Sequence, residues 1–342
     1  MPEVQEVFRM ATQKVRQAPG AMDRQVAKQR TAARNRRIGV FAMVLALVAA
    51  LVATYAITRG RTPEIPGNVT TISIGAGAGP SKLIDLATGE VTPLPGAIAA
   101  VGAYYAVSPD GTKVAYNACC SPPAPLLVAN IDGTNAHILS KTGADAHGAH
   151  WSSDGSLIVY QQRDASTLRL GDLFVVGADG GNRTRLTNFD QTQRWGWWFL
   201  FPSFAPDGQS VLFHLPRGDQ HHPSWDLWSV PLAGGEPTIV RRNAGWGDYS
   251  DGGALAYVSS MGGDFTGDTL WIASSDGGAP TPVARGQISW PRWSPDGTQI
   301  SFQNGGSIWV LDVATGSTTR IAPGSNAEWA NDHTLIIGSG GS

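Results

Sequence analysis

Apolar residues are distributed in two quite different ways along this chain. From Ile38 to Ile57 (IGVFAMVLALVAALVATYAI) twenty residues pass without a charge. As a helix that stretch measures about 30 Å, the thickness of a bilayer core. A buried helix of a soluble domain would carry a polar stripe, and this run has none. The pattern predicts one transmembrane helix over 38–57. The 37 residues ahead of it, and the poor small-x-small site at Thr54-Tyr55-Ala56, favour an uncleaved anchor over a signal peptide. Beyond a Pro/Gly-containing linker, 58–68, the long run gives way to short apolar segments bounded by Gly, Pro, Asp and Ser. That is the pattern of short strands and tight turns.

These segments repeat. An aromatic or apolar residue precedes a turn, and a β-rich run follows it. Tyr105-Ala-Val-Ser-Pro-Asp-Gly111 leads to Lys113-Val-Ala-Tyr116, and Trp151-Ser-Ser-Asp-Gly155 to Leu157-Ile-Val-Tyr160. Phe204-Ala-Pro-Asp-Gly208, Tyr249-Ser-Asp-Gly252, Trp293-Ser-Pro-Asp-Gly297 and Trp329-Ala-Asn-Asp332 continue the series. The turn aspartates at 110, 154, 207, 251, 296 and 332 lie 44, 53, 44, 45 and 36 residues apart. A second turn is interleaved at Thr88-Gly89, Asp132-Gly133, Asp179-Gly180, Ala233-Gly234, Asp276-Gly277 and Thr315-Gly316. Four strands and two tight turns per period near 44 make a propeller blade. The fold expected for 69–342 is therefore all-β, a six-bladed β-propeller. Its last blade is two strands short after Leu335-Ile-Ile337. Thr71-Ile-Ser-Ile74, Lys82-Leu-Ile-Asp-Leu86 and Val91-Thr-Pro-Leu94 are expected to complete it and close the ring.

The element clearest at Trp293 to Phe302 (Trp-Ser-Pro-Asp-Gly-Thr-Gln-Ile-Ser-Phe) resembles the TolB-type, WD-like propeller repeat. The resemblance covers roughly residues 70–340. It does not extend to the amino-terminal α/β domain of TolB, nor to the α/β-hydrolase domain that accompanies this repeat in some peptidases. What it implies is the propeller.

Charge sharpens the topology. Residues 1–37 carry nine Lys/Arg and three Asp/Glu, while the remainder carries sixteen and 24. The basic crowd from Arg24 to Arg37 places the N-terminus in the cytoplasm and the propeller outside. An acidic propeller argues against nucleic-acid binding. Val4, Val7, Phe8, Ala11 and Val15 fall at helical spacing, which fits either a short amphipathic helix for a cytoplasmic partner or a topogenic tail. Cys119 and Cys120 are the only cysteines, so no disulfide framework or zinc spacing exists.

Candidate chemistry lies in the second-to-third loops and inter-blade links, which gather on the face opposite the short turns. Trp195 and Trp197 stand in the stretched 53-residue interval, His221 in a second-to-third loop, and Arg241, Arg242 and Trp246 in the next link. Clustered Trp and Arg suit an interface, or stacking on peptides or sugars. The alternative is that Trp197, Trp198 and Phe199 simply pack the next inner strand. His147 and His150, with Asp145, lack a third ligand fixed by spacing, as do His221 and His222, so no metal or cofactor is expected. No Gly-x-Ser-x-Gly elbow, phosphate-binding loop or His-Glu-x-x-His helix is present. The turn Asp and Ser residues are explained by turn geometry. The function expected is non-enzymatic recognition of a protein, peptide or envelope glycan at a bacterial cell membrane. The alternatives are a sensor signalling through the basic leader, and a propeller hydrolase with a site in the channel. Inward-facing acids and histidines at the channel mouth would favour the last.

Overall fold

The computed structural model describes residues 81–95, 98, 104–117, 123–141, 143–164, 170–189, 199–217, 224–259, 266–273 and 279–338. The expected leader, the span 38–57, the linker, the strand 71–74 and the cysteine pair lie outside these residues. Among the described residues no helix is long and apolar enough to cross a membrane.

All regular elements described are strands. β1 (Lys82–Asp85) and β2 (Val91–Pro93) come first in the chain. β3 (Tyr104–Val107), β4 (Lys113–Asn117), β5 (Leu127–Asn130) and β6 (His137–Ile138) form one sheet in chain order. β7 (Ala144–Trp151), β8 (Leu157–Asp164), β9 (Asp172–Gly177) and β10 (Thr184–Arg185) form the next. β11 (Ser203–Phe204), β12 (Ser210–Arg217), β13 (Ser224–Pro231) and β14 (Thr238–Arg241) form a third. A seven-stranded sheet follows: β15 (Ala244–Tyr249), β16 (Leu255–Ser259), β17 (Gly267–Ala273), β18 (Thr281–Trp293), β19 (Gln299–Asn304), β20 (Ser307–Asp312) and β21 (Thr318–Pro323). β22 (Ala327–Asn331) and β23 (Thr334–Ile337) end the chain and pair onward to β1 and β2. In that sheet Lys82 faces Ile337 and Asp85 faces Thr334, so the two ends of the described chain share one antiparallel ladder.

The seven-stranded sheet is two four-stranded units that share β18. Its first half pairs with β17 and its second half with β19, and Ile288 pairs with both. The strand turns its corner at Gly286 (φ +148°), where a Cβ would fall 2.3 Å from Asn304 Oδ1. Asn304 fixes that corner by accepting from the Gln287 N–H and donating to the Arg285 carbonyl. First strands contact one another in a closed cycle, β3, β7, β11, β15, β18, β22 and back to β3. The apolar core lies between neighbouring sheets. Ala115 and Val128 from one sheet, for example, pack with Trp151, Ile158 and Tyr160 from the next. Trp151 also donates its indole N–H to the Ala106 carbonyl, and Trp329 does the same to Arg292.

The turns show why Ser, Asp and Gly recur. Asp110 accepts from the Ser108 hydroxyl and the Thr112 N–H, Gly111 N–H donates to Ser108 O, and Gly111 sits at φ +70°. Ser152-Asp154-Gly155 and Ser294-Asp296-Gly297 repeat this bonding. The fourth copy corrects the expectation. Its left-handed residue is Gly253, which donates to Ser250 O, so Gly252 occupies the place of the turn aspartate and Asp251 the place of proline. Denied the capping bonds, the Asp251 carboxyl is pushed up by burial and by Asp248. In the last copy Asn331, rather than Asp332, caps the turn by accepting from His333 N–H.

Candidate functional site

The first strands all run toward the Ser-x-Asp-Gly turns, so distance in residues before the turn measures depth along the axis they surround. Three residues before the position of Trp151 stand Tyr104, Gly148, Phe201, Trp246, Trp290 and Asn326. Four of these are aromatic, and their rings meet. Tyr104 stacks on Trp290 (5.3 Å, 14°). Phe201 lies 4.6 Å from Trp246 and 4.4 Å from Trp290, and Trp246 lies 4.8 Å from Trp290. Phe199 and His147 extend the layer, their rings 4.5 Å apart.

Local backbone geometry turns these side chains inward. Gly148, Phe201, Trp246 and Trp290 all adopt left-handed φ, +62°, +39°, +52° and +57°. In β7, β15 and β18 the left-handed residue falls inside a bulge where pairing register shifts. For a bulky residue such φ values cost on the order of 1–3 kcal/mol each, so packing at the axis must hold them in place. Glycine at 148 leaves room for Phe201, whose ring would lie 3.0 Å from an added Cβ. His214 locks the layer from behind. Its Nε2 pairs with the Phe199 carbonyl at 2.7 Å, while Nδ1 accepts from the Trp246 N–H. Burial pushes the His214 pKa down to about 3, so the ring is neutral and serves as a fixed strut.

Two residues closer to the turns, the equivalent positions read Ala106, His150, Ser203, Asp248, Arg292 and Glu328. Here the axis is charged. His150 Nε2 lies 3.6 Å from Asp248 Oδ1, Arg292 Nη1 lies 3.5 Å from the same oxygen, and Arg292 Nε lies 3.3 Å from Glu328 Oε2. Burial pushes His150 down to about 4, with Asp248 opposing and Arg292 adding to the shift. Burial pushes the Glu328 carboxyl up to about 7, against the pull of Arg292.

The expected binding residues fare differently. Trp195, Trp197 and His221 lie outside the described residues. Arg241 and Arg242 are neighbours at the end of β14, but they serve separate contacts. Arg241 faces the Tyr257 ring at 4.9 Å. Arg242 reaches the fully buried Asp226 at 3.5 Å, beside Arg217 at 3.0 Å, with Asn243 N–H as a further donor to Asp226. The Arg242 side chain remains 62 % exposed. Trp246, expected as a binding residue on an inter-blade link, is instead 6 % exposed within the axial layer. Its bulge directs the ring inward, where Phe201, Trp290 and His214 enclose it. His147 and His150 point to different carboxylates, Asp145 at 2.9 Å and Asp248. Tyr104, Phe199, Phe201 and Trp290 went unread as a group. The signal was an aromatic residue recurring three positions before the turn motif.

No family model matches the chain, and no curated protein is similar to it in sequence. Among solved structures it is similar to a protein of Agrobacterium tumefaciens assigned as TolB (16% identity, TM-score 0.58), over 76% of this chain and 98% of that one. TolB from Acinetobacter baumannii matches at 14% identity and TM-score 0.53, over 77% of this chain and 64% of that one. A gluconolactonase from Xanthomonas campestris matches at 15% identity and TM-score 0.53, over 82% of this chain and 96% of that one. At such identities the likeness speaks to the fold: the described chain has a β-propeller fold similar to that of TolB.

Proposed function

We propose that this protein is a non-enzymatic binding module, a six-bladed propeller held at a bacterial cell membrane by residues 38–57. Its N-terminus lies in the cytoplasm and the propeller outside. The closed cycle of first strands supports the blade count, with β18 serving two blades. The partner is a protein or peptide, or an envelope glycan, received on the face opposite the short turns. The observation that carries this reading is the axial aromatic layer, whose outer members Tyr104 and Phe199 are only partly buried. Flat rings held rigid by packing offer contact area at little entropic cost, the property that marks binding anchors. Arg217 and Arg242, fixed on Asp226, supply polar contacts on the same face.

The test is capture from envelope extracts by the full-length chain in detergent. Tyr104→Ala and Phe199→Ala should each lower capture at least tenfold with little change in Tm. Unchanged capture would remove the aromatic layer from the interface.

A second reading, hydrolysis, draws on the charged layer and on the likeness to a gluconolactonase. His150, Asp248 and Glu328 are inward-facing acids and a histidine of the kind that favours it. Turnover of gluconolactone that is lost in Glu328→Gln and Asp248→Asn would establish that reading.

A further inference from the structure

The two axial layers touch, and the contact runs through one side chain. Arg292 stands between Asp248 and Glu328 in the charged layer, and its guanidinium carbon lies 5.5 Å from the centre of the Trp290 ring. Trp290 in turn stacks on Tyr104. Glu328 and Trp290 also border one narrow crevice, together with Tyr105, Asn326, Ala327 and Ile336. A change of charge at Glu328 therefore has a short physical route to the aromatic rings.

We propose that Glu328 is a proton-operated switch that sets the packing of the axial aromatic layer through Arg292. When Glu328 is ionised, Arg292 is shared between two carboxylates, one on β15 and one on β22. When Glu328 takes up a proton, its hold on the guanidinium is lost and Asp248 becomes the sole charged partner. The guanidinium then shifts toward Asp248 and changes its placement over Trp290. A cation held over an indole face is attracted strongly enough to shift a population severalfold.

The surroundings of Glu328 are compatible with this. Arg292 on β18 stabilises its ionised form and Asp248 on β15 opposes it. His150 on β7 meets Asp248 rather than Glu328. Tyr105 on β3 commits its hydroxyl to the Ile98 carbonyl and Ser81, and burial holds its pKa up. With burial as the dominant influence, the carboxyl titrates at about 7, where small changes of pH alter its charge.

The inference concerns regulation of the surface read above as the binding site. Its test is independent of that reading, because it needs no ligand. Tryptophan fluorescence of the full-length chain in detergent is followed from pH 5.5 to 8.5. A transition with a midpoint near pH 7 is expected. Trp290→Phe should remove its amplitude, Glu328→Gln should abolish it, and Asp248→Asn should lower its midpoint by removing a like charge. Should Trp290→Phe fail to fold, the carboxyl carbon resonance of labelled Glu328, assigned by its absence from Glu328→Gln, reports the same midpoint. A transition that persists in Glu328→Gln, or a midpoint unmoved by Asp248→Asn, overturns the proposal. Loss of capture in Tyr104→Ala with a flat pH titration would keep the binding surface and reject the switch.

Discussion

The aromatic and charged layers occupy the same axis, arise from the same strands and lie two residues apart, yet they are held together by opposite means. The aromatic layer accepts local backbone strain, left-handed φ at Phe201, Trp246 and Trp290, in return for burying large rings. The charged layer leaves the backbone more regular and instead buries groups that would rather be in water. In one the cost is conformational, in the other it is desolvation. The difference teaches that a propeller axis can be filled at either cost.

Three pairs of substitutions break or sharpen that contrast. The largest effect is expected in the aromatic layer. Trp246→Ala should cost about 3–5 kcal/mol as a core truncation. Trp246→Gly should cost about 1 kcal/mol less, because glycine accepts the left-handed φ. Urea unfolding of residues 63–342 measures both, and a glycine variant no better than alanine would mean that Trp246 carries no strain.

The next effect separates the charged groups. The folded state holds the Glu328 proton up to about pH 7, whereas an unfolded glutamate loses it near 4.5. Stability therefore falls as pH rises between those values, by about 3 kcal/mol in all. His150 works the other way. Its folded pKa of about 4 lies below the unfolded 6.5, so stability is lost as pH falls through that window. In the intact protein the two trends offset each other between about 4.5 and 6.5. Glu328→Gln should gain stability relative to the native chain at pH 8 and show little difference at pH 4. His150→Gln should gain relative to the native chain at pH 4.5 and not at pH 8. Unfolding curves that track each other across pH would show that burial does not govern these groups.

The smallest effect lies at the turn beside the charged layer. Asp251→Asn removes a carboxyl disfavoured by burial and by Asp248, and should be neutral or stabilising by a few tenths of a kcal/mol. Asp296→Ala, which removes a bonded turn cap, should cost about 1 kcal/mol. Equal effects in thermal melts would mean that the shifted turn behaves like the others.

The turns were legible because their chemistry is local: Ser, Asp and Gly within four residues carry the whole argument. The same locality explains the misreading at Tyr249, where an Asp-Gly pair occurs one residue early and only the backbone bond to Gly253 reveals the frame. The pairing of Lys82–Asp85 with the last strand was legible because the final repeat left strands to be supplied. The axial layers were not read, since their members lie in separate repeats and come together only when the ring closes. Trp246 in particular looked like a loop residue. Nothing in Ala244-Gly-Trp-Gly-Asp248 announces a bulge that aims the indole at the axis.

The shared strand β18 has a consequence for how the molecule opens. Elsewhere successive sheets are separate strands joined by connecting residues, and each can fray at its own seam. Between β17 and β19 no seam exists, because thirteen continuous residues are hydrogen-bonded first to one side and then to the other. Amides on both sides of Gly286 therefore belong to a single cooperative unit, and exchange with solvent there requires both sheets to part together. The stretch from β15 to β21 is therefore expected to exchange as one unit, its amides protected together rather than sheet by sheet.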